Sequence, residues 1–159
     1  MRKLGTAVAV LGLAALGAIA PATSAQAAAQ AEGCDQAWPG RDGNVRAWQH
    51  NDCRGYLLGV DAGDDADWSD GAGAFQGSDY NEASSVMNSG YTGGLDVVAF
   101  YLTAQHLHQF GYVCLSPYEL YADNLTDNYF TNGGGVVNDR IGSHKWVTAS
   151  ACGAGSWLT

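Results

Sequence analysis

Val97-Val98-Ala99-Phe100-Tyr101-Leu102 and Tyr112-Val113-Cys114-Leu115 are short apolar runs, rich in β-branched and aromatic residues, on either side of a polar stretch that ends at Gly111. Such a pair reads as an antiparallel hairpin. Upstream, Val45-Arg46-Ala47-Trp48 and Tyr56-Leu57-Leu58-Gly59-Val60 flank another polar, glycine-bearing turn and read the same way. A glycine-rich stretch follows each hairpin, around Gly71, Gly73 and Gly77 in one case and at Gly133-Gly134-Gly135 in the other. Gly55-Tyr56 recurs as Gly111-Tyr112 after 56 positions, and Ser84-Ser85-Val86 recurs as Gly142-Ser143-His144 after 58. Past the first residues no long window repeats apolar positions at three and four, and 22 glycines interrupt what remains. The expectation is an all-β fold built from two copies of one unit, packed into a single sandwich. Two units of this length are too few and too long for a solenoid or a propeller.

The chain opens differently. Arg2 and Lys3 precede an uncharged run from Ala7 to Ala20, Pro21 breaks it, and Ala25-Gln26-Ala27 has the small-x-small pattern that signal peptidases accept. Residues 1–27 are expected to be a secretory signal peptide, too short a run for a membrane anchor. Residues 28–43 then form an N-terminal segment, and 44–159 the β domain, with unit one at about 44–92 and unit two at about 93–159. Processing leaves five basic against sixteen acidic residues, a formal charge of −11 in place of −9. Nucleic acid and anionic membrane are poor partners for such a surface, which suits cations, basic proteins or plain solubility.

All four cysteines, Cys34, Cys53, Cys114 and Cys152, follow the leader, and an even number in an exported chain reads as two disulfides. Three pairings exist. The expected one joins Cys34 to Cys53 and Cys114 to Cys152, because each bridge then ties a terminal segment to the nearer half of the domain. No C-x-x-C pair favours zinc.

With these residues in view the chain resembles the βγ-crystallin superfamily. Its Greek-key motif places an aromatic and, after four residues, a second aromatic ahead of a glycine; here Trp48 stands seven before Gly55, with Cys53 in the second aromatic's place. In the second unit the aromatic lies further back, at Phe100 or Tyr101, so a longer hairpin is expected before Gly111. The glycine folds the hairpin tip over the sheet, and the aromatic is expected to pack beneath it. The superfamily's calcium hexapeptide, Asn/Asp, Asn/Asp, two variable residues, Ser/Thr, Ser, is matched by Tyr80-Asn81-Glu82-Ala83-Ser84-Ser85 and by Asn138-Asp139-Arg140-Ile141-Gly142-Ser143. Each copy departs once, at Tyr80 and at Gly142. The two-motif form with short cysteine-bearing ends also resembles the actinobacterial metalloproteinase-inhibitor family of secreted proteins.

The resemblance implies two Greek-key motifs and shared calcium sites. One site would take the Ser84 hydroxyl and the Glu82 carbonyl from the first motif and the Asp139 side chain from the second. The other would take the Arg140 carbonyl and Asn81, with no hydroxyl at Gly142. The same residues also suit turns, where they satisfy backbone groups without a metal. The implied function is a secreted, non-enzymatic binding module. A peptidase inhibitor acting on an extracellular protease is the alternative, and an antimicrobial or toxin-like binder stands behind it; the chain is expected to be a monomer.

Other features carry less. The acidic run Asp61, Asp64, Asp65, Asp67 and Asp70 misses the EF-hand template, with Gly71 one place late and Gln76 where the closing Glu belongs, and reads as a solvated loop. His106 and His108 lack a third ligand and read as hairpin-tip residues. The five tryptophans read chiefly as packing residues, and Asn124-Leu125-Thr126 is a glycosylation triplet on paper. No G-x-S-x-G, H-E-x-x-H or phosphate-cradling loop is present, so catalysis is not expected.

Overall fold

The computed structural model describes residues 33–159; the expected signal peptide lies outside the described residues. Both expected hairpins form. The first pairs β1 (Val45–His50) with β2 (Arg54–Asp61), and the second pairs β4 (Val97–Tyr101) with β5 (Tyr112–Leu115). The remaining strands are β3 (Ser85–Asn88), β6 (Tyr121–Ala122), β7 (Tyr129–Phe130), β8 (Gly135–Val136) and β9 (Ser143–Val147), and α1 (Cys34–Ala37) is a single turn of helix. The fold is all-β.

Strand order shows how the two units interlock. One sheet runs β2-β1-β3-β6, so its last strand comes from the second unit. The other runs β5-β4-β9, and beyond β9 the first unit returns the exchange through an antiparallel bridge between Asp65 and His144. Each unit thus completes the sheet of its partner.

The core follows from the period of two along each strand. Val45, Ala47, Val86 and Ala122 of one sheet meet Val98, Phe100, Val113, Leu115 and Trp146 of the other in a single cluster. Val97, Ala99 and Tyr101 face the opposite way and are buried too, with Tyr112, Cys114 and Val147, under Cys152 and Trp157 of the C-terminal segment. Burial on both faces explains why β4 reads as an unbroken apolar run. The outer face of the first sheet is covered in the same manner, where Trp48 and Met87 pack with Cys34 and Cys53. The disulfides join Cys34 to Cys53 and Cys114 to Cys152, each fixing a terminal segment over the outer face of its own sheet. The C-terminal segment also hydrogen-bonds along β5: the Cys114 N–H donates to the Ser156 carbonyl at 2.7 Å, and the Leu158 N–H to the Cys114 carbonyl at 2.9 Å.

Two expectations need correction. The hairpin glycines Gly55 and Gly111 both have the positive φ expected of them, but the ring against Gly55 is His50, not Trp48. Trp48 faces outward to the disulfide because the alternation along β1 that turns Val45 and Ala47 into the core puts it on the opposite face. The acidic run is not simply a solvated loop. Asp65 is buried, exchanges backbone hydrogen bonds with His144, and accepts from the Asp67 and Phe75 N–H groups through its carboxylate. Just beyond it, Trp68 and Phe75 are fully buried and stacked with centroids 4.0 Å apart. The aspartates serve the turns that lead this segment into the core.

The histidines of the second hairpin do lie between β4 and β5. His106 Nε2 lies 2.8 Å from the His144 carbonyl and 3.2 Å from that of Asp65, and His108 stacks on Tyr112. Among the described residues no helix is long and apolar enough to cross a membrane.

Candidate functional site

The two hexapeptides lie where each unit turns into the strand that it keeps, β3 for the first and β9 for the second. Asn81 and Asp139, the second residues of the two copies, both adopt left-handed backbone, with φ of 61° and 54°. Asn and Asp tolerate this region better than other side chains. From there the Asn81 N–H donates to the Ile141 carbonyl at 3.1 Å, and the Asp139 N–H to the Ala83 carbonyl at 2.9 Å. Residues 81 and 139, like 83 and 141, are 58 apart, so each copy holds the other through the same bond. The expected spacing of the repeat is visible here as a local two-fold relation.

The sixth residues have a different task. Ser85 and Ser143 are fully buried, and their hydroxyls donate to the carbonyls of His50 at 2.8 Å and Thr103 at 2.7 Å. These bonds pin each folded hairpin tip to the sheet beneath. Ser85 Oγ also accepts from the Cys53 N–H at 3.0 Å. The second hairpin is longer, as expected, since the Ser-bonded carbonyl precedes the glycine by five residues in the first unit and by eight in the second.

Two of the three groups expected at the first metal site meet. The Ser84 hydroxyl donates to Asp139 Oδ1 at 3.1 Å, across a sequence separation of 55, and Asn138 Nδ2 donates to Asp139 Oδ2 at 2.7 Å. Glu82, two residues before Ser84, is exposed, and its carbonyl accepts no hydrogen bond among the described residues. A hydroxyl, a carboxylate and a carbonyl are the hard oxygen donors that calcium takes, and Asp139 is exposed. Among the described residues no three His, Cys, Asp or Glu side chains gather into a metal group, so any ion here would depend on hydroxyl and carbonyl oxygen.

The fifth place of the second hexapeptide has no room for a side chain. A Cβ at Gly142 would lie 2.8 Å from Tyr80 Cε2, 3.0 Å from the Thr103 carbonyl carbon and 3.1 Å from the Leu102 carbonyl oxygen. The Tyr80 ring, packed against the core cluster, takes the space that a side chain in the fifth place would need. The two departures from the hexapeptide, Tyr80 and Gly142, therefore meet at one place. Arg140, whose carbonyl was expected to serve the second site, turns its guanidinium back to the Gly134 carbonyl at 2.6 Å.

Sequence reading missed the surroundings of the intact site. A cavity of about 230 Å³ opens beside Ser84, lined also by His50, Asn51, Asn124, Thr126 and Asn138. The glycosylation triplet was the only local hint. Its Asn124 side-chain Oδ1 in fact accepts from the Thr126 N–H at 3.2 Å and hydroxyl at 2.8 Å, starting a 3₁₀ turn at Leu125–Asp127.

Neither a protein-family model nor a curated protein matches the chain. A solved structure described as "Evolution of the eye lens beta-gamma-crystallin domain fold" is similar to it, with a TM-score of 0.45 and 19% identity over 67% of this chain and 86% of that one.

Proposed function

We propose that the chain is a secreted, non-enzymatic module of the βγ-crystallin type that binds one calcium ion between its two motifs. The observation that carries this reading is the contact of Ser84 with Asp139. Two side chains 55 residues apart meet at the fifth and second places of paired hexapeptides. Ser84 Oγ, the Glu82 carbonyl and Asp139 would hold the ion, and water would fill the rest of the six to eight positions that calcium requires. With one carboxylate the affinity belongs in the weak range of extracellular modules, about 10⁻⁴ to 10⁻³ M. Two disulfides support an oxidising compartment and hence export.

Isothermal titration of the chain with calcium chloride tests the proposal. The expected result is one ion per chain, lost in Asp139→Gly. That variant suits left-handed backbone while removing the side-chain oxygens. Two ions per chain, or an unchanged isotherm in Asp139→Gly, would contradict it.

A further inference from the structure

At the end of the sandwich away from the hexapeptides, beyond the paired residues Val45 and Asn88, lies a cavity of about 550 Å³. The buried Trp146 lines it with Tyr91, Leu95 and Asp64, and every other lining residue is glycine or alanine. Two glycines let the rings lie against bare backbone. A Cβ at Gly90 would lie 2.5 Å from Trp146 Cη2 and Cζ3, and one at Gly43, whose φ is 86°, would lie 2.9 Å from Tyr91 Cε2. Tyr91 and Leu95 nevertheless remain 66% and 64% exposed. Single apolar side chains at a surface are ordinary, but two of them beside one hollow lined by a buried indole mark a surface suited to a partner.

Asp64 supplies the one charge. Its Oδ1 accepts from the Trp146 N–H at 2.8 Å, which holds the carboxylate at the cavity, and no basic side chain is among the lining residues. Arg41 reaches the Gly90 carbonyl at 3.0 Å, but it is not part of the lining and also donates to the Pro117 carbonyl.

We infer that this cavity takes an arginine side chain of a basic partner protein, with the guanidinium on the Tyr91 ring and the Asp64 carboxylate and the methylene stem along Leu95 and Trp146. The inference does not depend on the calcium reading. An aromatic face attracts a cation, and a planar guanidinium can stack on a ring while it pairs with a carboxylate, which a lysine ammonium does less well. The methylenes of the stem suit the apolar part of the lining. With 16 acidic against 7 basic residues, the chain draws a basic partner and repels an acidic one. A wholly apolar occupant would cover Asp64 without pairing it.

The test is amide NMR of the full processed chain, titrated with a Gly-Arg-Gly peptide blocked at both ends and with its citrulline and lysine counterparts. Citrulline keeps the shape of the guanidinium and removes its charge. The arginine peptide should shift the amides of Gly90, Tyr91, Gly93 and Trp146, and the citrulline peptide should bind about tenfold more weakly, having lost both the cation–π contact and the ion pair. Lysine should fall between them. Asp64→Asn keeps an oxygen for the Trp146 N–H, and Tyr91→Leu keeps an apolar side chain at an exposed place. Each should lower the affinity for the arginine peptide about threefold, the scale of one exposed contact of its kind. Four results would overturn the inference: no shifts at these amides, citrulline binding as tightly as arginine, lysine binding as tightly as arginine, or an affinity unchanged in both variants.

Discussion

The Ser84 hydroxyl and the Asp139 carboxylate lie 3.1 Å apart, although one belongs to the first unit and the other to the second. The contact exists because each hexapeptide is locked to the other by a backbone bond, Asn81 to Ile141 and Asp139 to Ala83. A site built this way needs both units folded and interlocked.

The filled fifth place of the second hexapeptide gives the first prediction. Gly142→Ser restores the hexapeptide on paper, yet the added atoms meet the Tyr80 ring and the backbone of Leu102 and Thr103. Overpacking of this kind costs about 1–3 kcal/mol. Urea unfolding should show that loss, and calcium stoichiometry should remain one.

The buried serines are not equivalent. Ser85 Oγ serves two backbone groups, the His50 carbonyl and the Cys53 N–H, whereas Ser143 Oγ donates only to the Thr103 carbonyl. A buried polar group left without its partner costs about 1–3 kcal/mol. Ser85→Ala should therefore destabilise more than Ser143→Ala, and chemical denaturation of the two variants measures the difference.

His144 predicts a pH dependence. Burial is the main force holding its pKa below the ordinary value, against Asp61, Asp65, the Gly63 carbonyl and Asp64, which pull it up. Trp68 Nε1–H donates to Nδ1 at 3.0 Å, so the neutral ring carries its proton on Nε2, facing the Gly63 carbonyl at 3.1 Å. Below about pH 6.5 the unfolded chain takes up a proton that the folded ring refuses, so stability falls as pH drops, with a limiting slope of about 1.4 kcal/mol per pH unit. The contribution of this group is level above that range. His144→Gln should remove this part of the slope in denaturation curves between pH 7 and pH 5, whatever it costs at pH 7.

The disulfides close spans of 19 and 38 residues. Doubling a loop adds about 0.6 kcal/mol of closure entropy to the unfolded state. Replacing Cys114 and Cys152 by Ala should therefore cost more than replacing Cys34 and Cys53, by about that amount before packing losses under Trp157 are added. Thermal unfolding of the two double variants makes the comparison.

The hairpins, the disulfide partners and the two-fold repeat were legible because each leaves a local mark: alternating apolar runs, an even cysteine count and matching residues at fixed spacing. The strand exchange left almost none. Its strands are as short as Tyr121–Ala122 and a single bridge at Asp65, and their place is set by the partner sheet rather than by their own composition. For the same reason Asp61, Asp64 and Asp65 read as solvent-facing, when backbone N–H groups and His144 in fact engage their carboxylates or main chain. At the candidate site the two defects of the hexapeptides were visible one at a time. That Tyr80 and Gly142 meet at one place depends on a contact across 62 positions that no local pattern reports.

The most direct measurement is the melting temperature of the full processed chain with and without millimolar calcium, set beside two variants. Saturation at a hundredfold excess over the dissociation constant would add about 2.7 kcal/mol to folding stability, a clear rise in melting temperature for a chain of this size. Asp139→Gly, which suits the positive φ and removes the side-chain oxygens, should abolish that rise. Asn81→Gly, which keeps a residue at ease with positive φ at the other site, should leave it intact. A melting temperature that calcium does not move in the intact chain, or a rise that depends on Asn81 and not on Asp139, would contradict a single calcium site built on Ser84 and Asp139.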